Sequence, residues 1–162
     1  MLFRSPELLP EFVRHLRPDI TDTDARVLFE IKPDTEHGSR QGREQAARYL
    51  AALNAVVKPD KTLLGGTGLD GSLFIEFEDG GVLWQLSWRT PEPGVTLYRW
   101  SYRRPKPNTS WQQRADQPQE EVSREEVEAH GEVAERMLRA TYEGGDWPSG
   151  VQGHVYRPVN CH

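Results

Sequence analysis

At 162 residues, 36% hydrophobic and 28% charged, the chain is long enough for one domain with a core, and its aromatic and β-branched runs exclude disorder throughout. A net charge of −5 argues against bulk coating of nucleic acid, yet leaves room for a metal site made of carboxylates beside a local basic patch. The single Cys161 excludes an intrachain disulfide, and no apolar run is long enough to span a membrane.

Met1 to Pro10 carries prolines and charges where a secretory signal has an apolar segment. A cytoplasmic protein is therefore expected, or the end module of a larger exported protein that acts in a target-cell cytoplasm.

In chain order, Leu8, Leu9, Phe12, Val13 and Leu16 predict an amphipathic helix over Pro6 to Leu16, capped by Ser5 and ended by Pro18. Asp22, Thr23 and Asp24 form a turn signal, and Val27 to Lys32 is a β-rich run that stops at Pro33. Together they predict a hairpin from Asp19 to Lys32. Asp34 to Gly38 reads as a loop, with Ser39 capping a helix from about Arg40 to Val56. An antiparallel meander over about 72–104 follows, with turns at Asp79-Gly80-Gly81 and at Pro91 to Gly94. Arg104 to Gln119 reads as a long loop, and Ser123 with Glu126 starts a C-terminal helix over about 123–143 that Gly144 stops. With no internal repeat, residues 1–162 read as one α/β domain: a mixed sheet flanked by helices, a motif core over about 11–56, and an added tryptophan-rich meander.

Alternation along Val27 to Lys32 puts Leu28, Glu30 and Lys32 on one face, with the two charges about 7 Å apart. Pairing with the preceding segment brings Asp19 alongside, so one hairpin gathers two carboxylates and an ammonium. Asp19 and Glu30 can hold Mg²⁺ or Mn²⁺ through hard oxygen ligands, with the Ile31 carbonyl as a further ligand. The metal polarises a phosphoryl group and acidifies a bound water, while Lys32 orients that water and offsets charge developing on the phosphate. The expected reaction is metal-assisted phosphodiester hydrolysis.

Pro18-Asp19 followed by Glu30-Ile31-Lys32 resembles the PD-(D/E)XK motif of restriction-endonuclease-like nucleases. Gln45-Ala46-Ala47-Arg48-Tyr49 on the next helix resembles the Gln-x-x-x-Tyr motif of one branch of that superfamily. The whole run is similar to nuclease modules of bacterial polymorphic toxins, over roughly residues 11 to 54. The resemblance implies a restriction-endonuclease-like fold and a nuclease with DNA as substrate before RNA. It also implies supporting roles at the site for Gln45 and Tyr49, and an immunity protein as partner. The family often adds an acidic residue from a preceding helix, which points to Glu11 as a further metal ligand and to Glu7 after it. Upstream the pattern departs, because the family's first strand is hard to find in Phe12 to Arg17.

Blander readings stand beside these. Glu30 and Lys32 alone fit a solvated pair on an edge strand, and Gln45 with Tyr49 fits neighbours on a helix flank. Tyr98, Trp100 and Tyr102 fit core or sheet surface better than base-stacking platforms. Arg99, Arg103, Arg104 and Lys106 make the best basic patch for a nucleic-acid backbone, and a solvated strand edge explains them equally. The five histidines lack metal-ligand spacing, which excludes a structural zinc site. The competing functional reading is a non-enzymatic interaction or immunity-type module that binds through the aromatic meander.

Overall fold

The computed structural model describes residues 15–78, 81–104, 108–144 and 153–158. Most of the expected first helix lies outside the described residues, with Glu7 and Glu11, as do the turn residues Asp79 and Gly80, Lys106 and Cys161. The fold is mixed α/β with a mixed sheet, and the chain divides into two compact units: Met1–Leu69 with Arg89–Leu97, and Asp70–Trp88 with Tyr98–His162. No helix among the described residues is long and apolar enough to cross a membrane.

In the first unit, β1 (Ile20–Asp22) runs antiparallel to β2 (Val27–Pro33) in the register Ile20↔Phe29 to Asp22↔Val27. The Asp22 carboxylate accepts the Ala25 N–H at 2.9 Å, and Arg26 completes the turn in the left-handed region at φ 59. β3 (Leu64–Gly65) pairs parallel with β2, which makes the sheet mixed.

The helix α1 (Glu36–Asn54) starts a turn earlier than the sequence suggests. Thr35, not Ser39, is the cap: its side chain accepts the Gly38 N–H, and Glu36 adds negative charge to the first turn. His37 and Gly38 read as loop residues, but Gly38 is buried where a Cβ would strike the Pro33 carbonyl. At the other end the Asn54 side chain bonds both the N–H and the C=O of Leu63, which ties α1 to the approach of β3. Leu28, Ala46, Leu53, Leu63, Val95 and Leu97 form the core of this unit, and Leu16, Tyr49, Leu50 and Val56 pack against it.

In the second unit, β4 (Gly71–Phe77) lies between β5 (Leu83–Glu92) and β8 (Gly153–Tyr156), antiparallel to both. β6 (Val95–Arg103) follows β5 in the expected meander and also pairs with β7 (Glu120–Glu121). Where a long loop was expected, Ser110 and Gln113 close a capping box and start α2 (Trp111–Ala115). Its Arg114 reaches the Glu76 carboxylate at 2.7 Å and holds that carboxyl below its usual range.

The expected C-terminal helix is two helices, α3 (Arg124–Ala129) and α4 (Gly131–Glu143). The break at His130 inserts its ring among Phe77, Trp84 and Trp100, with centroids 5.5, 4.8 and 5.6 Å away. α4 buries Ala134, Met137 and Leu138 and ends at Gly144 in the left-handed region. Tyr98 and Trp100 are buried, so these aromatics serve the core.

Candidate active site

Because β1 pairs with β2 in the Ile20↔Phe29 register, the residue before Ile20 comes beside the residue after Phe29. Asp19 and Glu30 therefore adjoin, and the structure links them twice. The Asp19 N–H donates to Glu30 Oε1 at 3.3 Å, and the Ile31 N–H donates to Asp19 Oδ2 at 2.7 Å. Lys32, two residues on and on the same side of the strand, places its Nζ 3.3 Å from Glu30 Oε2. The hairpin thus brings Asp19, Glu30 and Lys32 together.

The environment is dry at its centre. Glu30 is only 2% exposed, while the Lys32 side chain is 15% exposed. Burial, and then the neighbouring Asp19 charge, push the Glu30 carboxyl up to about 7, against the opposing pull of Lys32. A solvated ion pair on an edge strand would show none of this, so that reading fails for Glu30. A buried carboxylate beside a second carboxylate is a poor anion by itself and a good ligand for a cation.

Two neighbouring carboxylates supply hard oxygen donors of the kind a divalent ion takes. Mg²⁺ commonly takes one or two protein carboxylates and keeps several waters. Among the described residues no group of three or more histidine, cysteine, aspartate or glutamate side chains is placed to hold a metal. Glu11 lies outside the described residues.

The helix α1 carries Gln45 and Tyr49, both half-buried. Tyr49 packs against the Leu28–Leu53 core cluster. Gly42, three residues before Gln45 and so on the same face, is where α1 meets β2: a Cβ on Gly42 would lie 2.9 Å from Val95 Cγ1 and 3.3 Å from Lys32 Cγ. Gly42 has no signature in the sequence beyond being a glycine at the helical spacing of the buried residues Gly38, Ala46 and Leu53.

The basic patch expected on β6 is corrected in one member. Arg103 is 5% exposed; its guanidinium donates to the Gln117 carbonyl at 3.1 Å and to Gln85 Oε1 at 2.8 Å, and it lies over the Phe74 ring. It is a buried packing residue whose Nε and Nη1 are taken by Gln117 and Gln85. Tyr102 beside it is half-buried while Arg103 is enclosed, so the basic residue and not the aromatic one takes the buried position here. Arg99 is exposed, and Arg104 is exposed with its Nε 2.9 Å from Glu120. Lys106 lies outside the described residues.

Residues 9–63 match the model of a family described as restriction endonuclease fold toxin 9. Over that span, which holds Asp19, Glu30, Lys32, Gln45 and Tyr49, the chain is similar to nuclease toxins of the restriction-endonuclease fold. No curated protein and no solved structure matches the chain.

Proposed function

We propose that the chain is the nuclease module of a toxin, hydrolysing phosphodiester bonds with Mg²⁺ or Mn²⁺, on DNA in preference to RNA. The observation that carries this reading is the buried Glu30 carboxylate, linked to Asp19 through the Asp19 N–H and to Lys32 through an ion pair. The family similarity over residues 9–63 supports the reaction class.

Asp19 and Glu30 would hold the metal, with the Ile31 carbonyl as a further ligand and Glu11 as an additional carboxylate. When bound, the ion supplies Lewis acidity toward the phosphoryl oxygen and lowers the pKa of a water. Lys32 leaves its ion pair with Glu30 to orient the attacking water and to stabilise charge on the phosphate. Burial of Glu30 keeps solvent from competing with these interactions. Gln45 and Tyr49, on α1, support ligand or substrate geometry beside Lys32. Arg99 on β6 and Arg104 just after it are exposed cations offered to a phosphate backbone. The module acts in a cytoplasm, its own or that of a target cell after export within a larger protein, and an immunity protein is its expected partner.

The test is degradation of plasmid and of RNA by the purified chain with Mg²⁺, with EDTA, and with Glu30→Ala. Cleavage that needs metal and disappears in the variant is the expected result. A folded chain that cleaves neither substrate would move the function to a binding module.

A further inference from the structure

The main chain of Glu30 is held by a segment far away in sequence. The turn between β5 and β6 brings Gly94 to β2, where the Gly94 carbonyl accepts the Glu30 N–H at 2.8 Å. The Gly94 N–H donates in turn to the Gly66 carbonyl at 2.8 Å, and the Gly66 N–H donates to the Leu28 carbonyl at 2.9 Å. Successive N–H groups of a strand point to opposite sides. On β2 one side is taken by Gly94 at Glu30, and the other by the Asp19 carboxylate at Ile31. The peptide that carries the Glu30 carboxylate is therefore clamped from both edges.

This clamp requires glycine. Gly94 has φ +82, and a Cβ there would lie 3.2 Å from Gly65 Cα and 3.5 Å from Ala46 Cβ. Gly65 must also lack a side chain, because its Cβ would come 2.6 Å from the Pro93 carbonyl carbon. The tip is anchored separately: the Glu92 carboxylate meets Arg43 of α1 at 2.9 Å, and the Thr90 hydroxyl bonds the Leu69 carbonyl at 2.8 Å. Such anchoring fixes where the Gly94 carbonyl points.

We infer that Gly94 is a positioning residue for the Asp19–Glu30 centre, its carbonyl setting the Glu30 main chain so that the two carboxylates converge on one cation. The inference rests on the nuclease reading above. Small displacements of a metal-binding carboxylate cost rate far out of proportion to their effect on stability.

The experiment measures Mn²⁺ binding and steady-state cleavage of plasmid DNA for the full chain and for Gly94→Ala, Gly94→Asn and Gly68→Ala. Gly68 shares the left-handed backbone, at φ +75, but a Cβ there meets nothing within 4 Å, so it carries the strain without the clamp. Gly94→Ala is expected to weaken Mn²⁺ binding and lower kcat by about tenfold or more, with KM for DNA changed less than about twofold. Gly94→Asn adopts this backbone more readily but brings the same Cβ against Gly65 and Ala46, so it should lose as much as the alanine variant and supplies a second reading of the contact. Gly68→Ala should match the parent chain in both. Folded Gly94 variants with unchanged Mn²⁺ affinity and kcat would overturn the positioning role, as would an equal loss in Gly68→Ala. A parent chain that neither binds Mn²⁺ nor cleaves DNA would instead overturn the nuclease reading, and the positioning role with it.

Discussion

Asp19 donates its own N–H to Glu30 Oε1 at 3.3 Å while its carboxylate accepts the Ile31 N–H at 2.7 Å. Each acid is thus tied to the main chain that carries the other, just beyond the last paired residues of β1 and β2, and neither can swing away without breaking one of these two bonds. Replacing Glu30 by glutamine keeps the shape and the acceptor for the Asp19 N–H but removes the anion. The expected outcome is a folded chain whose metal-dependent cleavage drops by at least about 10²-fold, since the metal contributes several kcal/mol of transition-state stabilisation. Circular dichroism and a plasmid assay on Glu30→Gln check this, and near-full activity in a folded variant would remove Glu30 from the centre.

The Glu30 carboxyl, pushed up from 4.5 to about 7, makes the site sensitive to pH near neutrality. Below about 4.5 the group is neutral in folded and unfolded chains alike. Between 4.5 and about 7 the folded chain keeps a proton that the unfolded chain has released, so this group's stabilising contribution is lost as pH rises through about 7. A divalent ion competes with that proton. Thermal melts should therefore show a larger gain in Tm from Mg²⁺ at pH 8 than at pH 5.5, and cleavage should rise through pH 7. In Glu30→Gln the difference between the two pH values should vanish, and a parent chain with equal Mg²⁺ gains at both would refute the linkage.

Lys32 opposes the rise in the Glu30 carboxyl through both its charge and its hydrogen bond. Lys32→Met keeps the aliphatic stem beside Gly42 and removes the ammonium. Two effects are expected together: a fall in kcat of roughly 10²-fold or more from the lost charge stabilisation, and an alkaline displacement of the pH profile as Glu30 loses its cation. A pH–rate series on both chains reads them. Full cleavage in Lys32→Met would exclude its role in the reaction.

The local hairpin was legible because its determinants are local. Pro18, the Asp22–Asp24 turn and the Val27–Lys32 run set the register that puts Asp19 beside Glu30. Less visible was whatever depends on distant chain or on tight packing. Thr35 caps α1 because Gly38 fits under Pro33, and the α3–α4 break exists because His130 packs among Phe77, Trp84 and Trp100. Phe77, Trp84 and Trp100 are far from His130 in sequence, whereas Pro33 is near Gly38 and acts through tight packing that no residue pattern announces. The hold of Gly94 on Glu30 spans more than sixty positions, and its one sequence sign was a Pro-Glu-Pro-Gly turn that fits any hairpin.

Arg103 shows the same limit from the other side, since it reads as part of a basic patch and packing encloses it. Its donors serve Gln117 and Gln85 inside the second unit, so Arg103→Ala should destabilise the chain by roughly 1–3 kcal/mol through the lost bonds to these half-buried acceptors and lost packing on Phe74. Arg99→Ala and Arg104→Ala, both exposed, should cost less than about 0.5 kcal/mol. If these two support a phosphate backbone, their replacement should weaken DNA binding and flatten its salt dependence while leaving the melting temperature unchanged. Urea titration separates the stability effects, and equal stability in Arg103→Ala would return that residue to the surface patch.

Gly42 offers the most direct test of how α1 supports the centre. Alanine is favoured over glycine inside a helix by about 1 kcal/mol, so on propensity alone Gly42→Ala should stabilise the chain. Packing opposes this: the added methyl would lie 2.9 Å from Val95 Cγ1 and 3.3 Å from Lys32 Cγ, and overpacking of that kind costs about 1–3 kcal/mol. The packing penalty should win, giving a net loss of about 1 kcal/mol. Because one of the two displaced groups is the Lys32 stem, kcat should fall by more than that loss of stability explains at a temperature where the variant is fully folded. Gln41→Ala, one residue away and exposed, changes helix propensity little and adds no such contact, so it should leave both stability and kcat nearly untouched. Were Gly42→Ala stabilising and fully active, the close approach of α1 to Lys32 would have no part in holding the ammonium where Glu30 meets it.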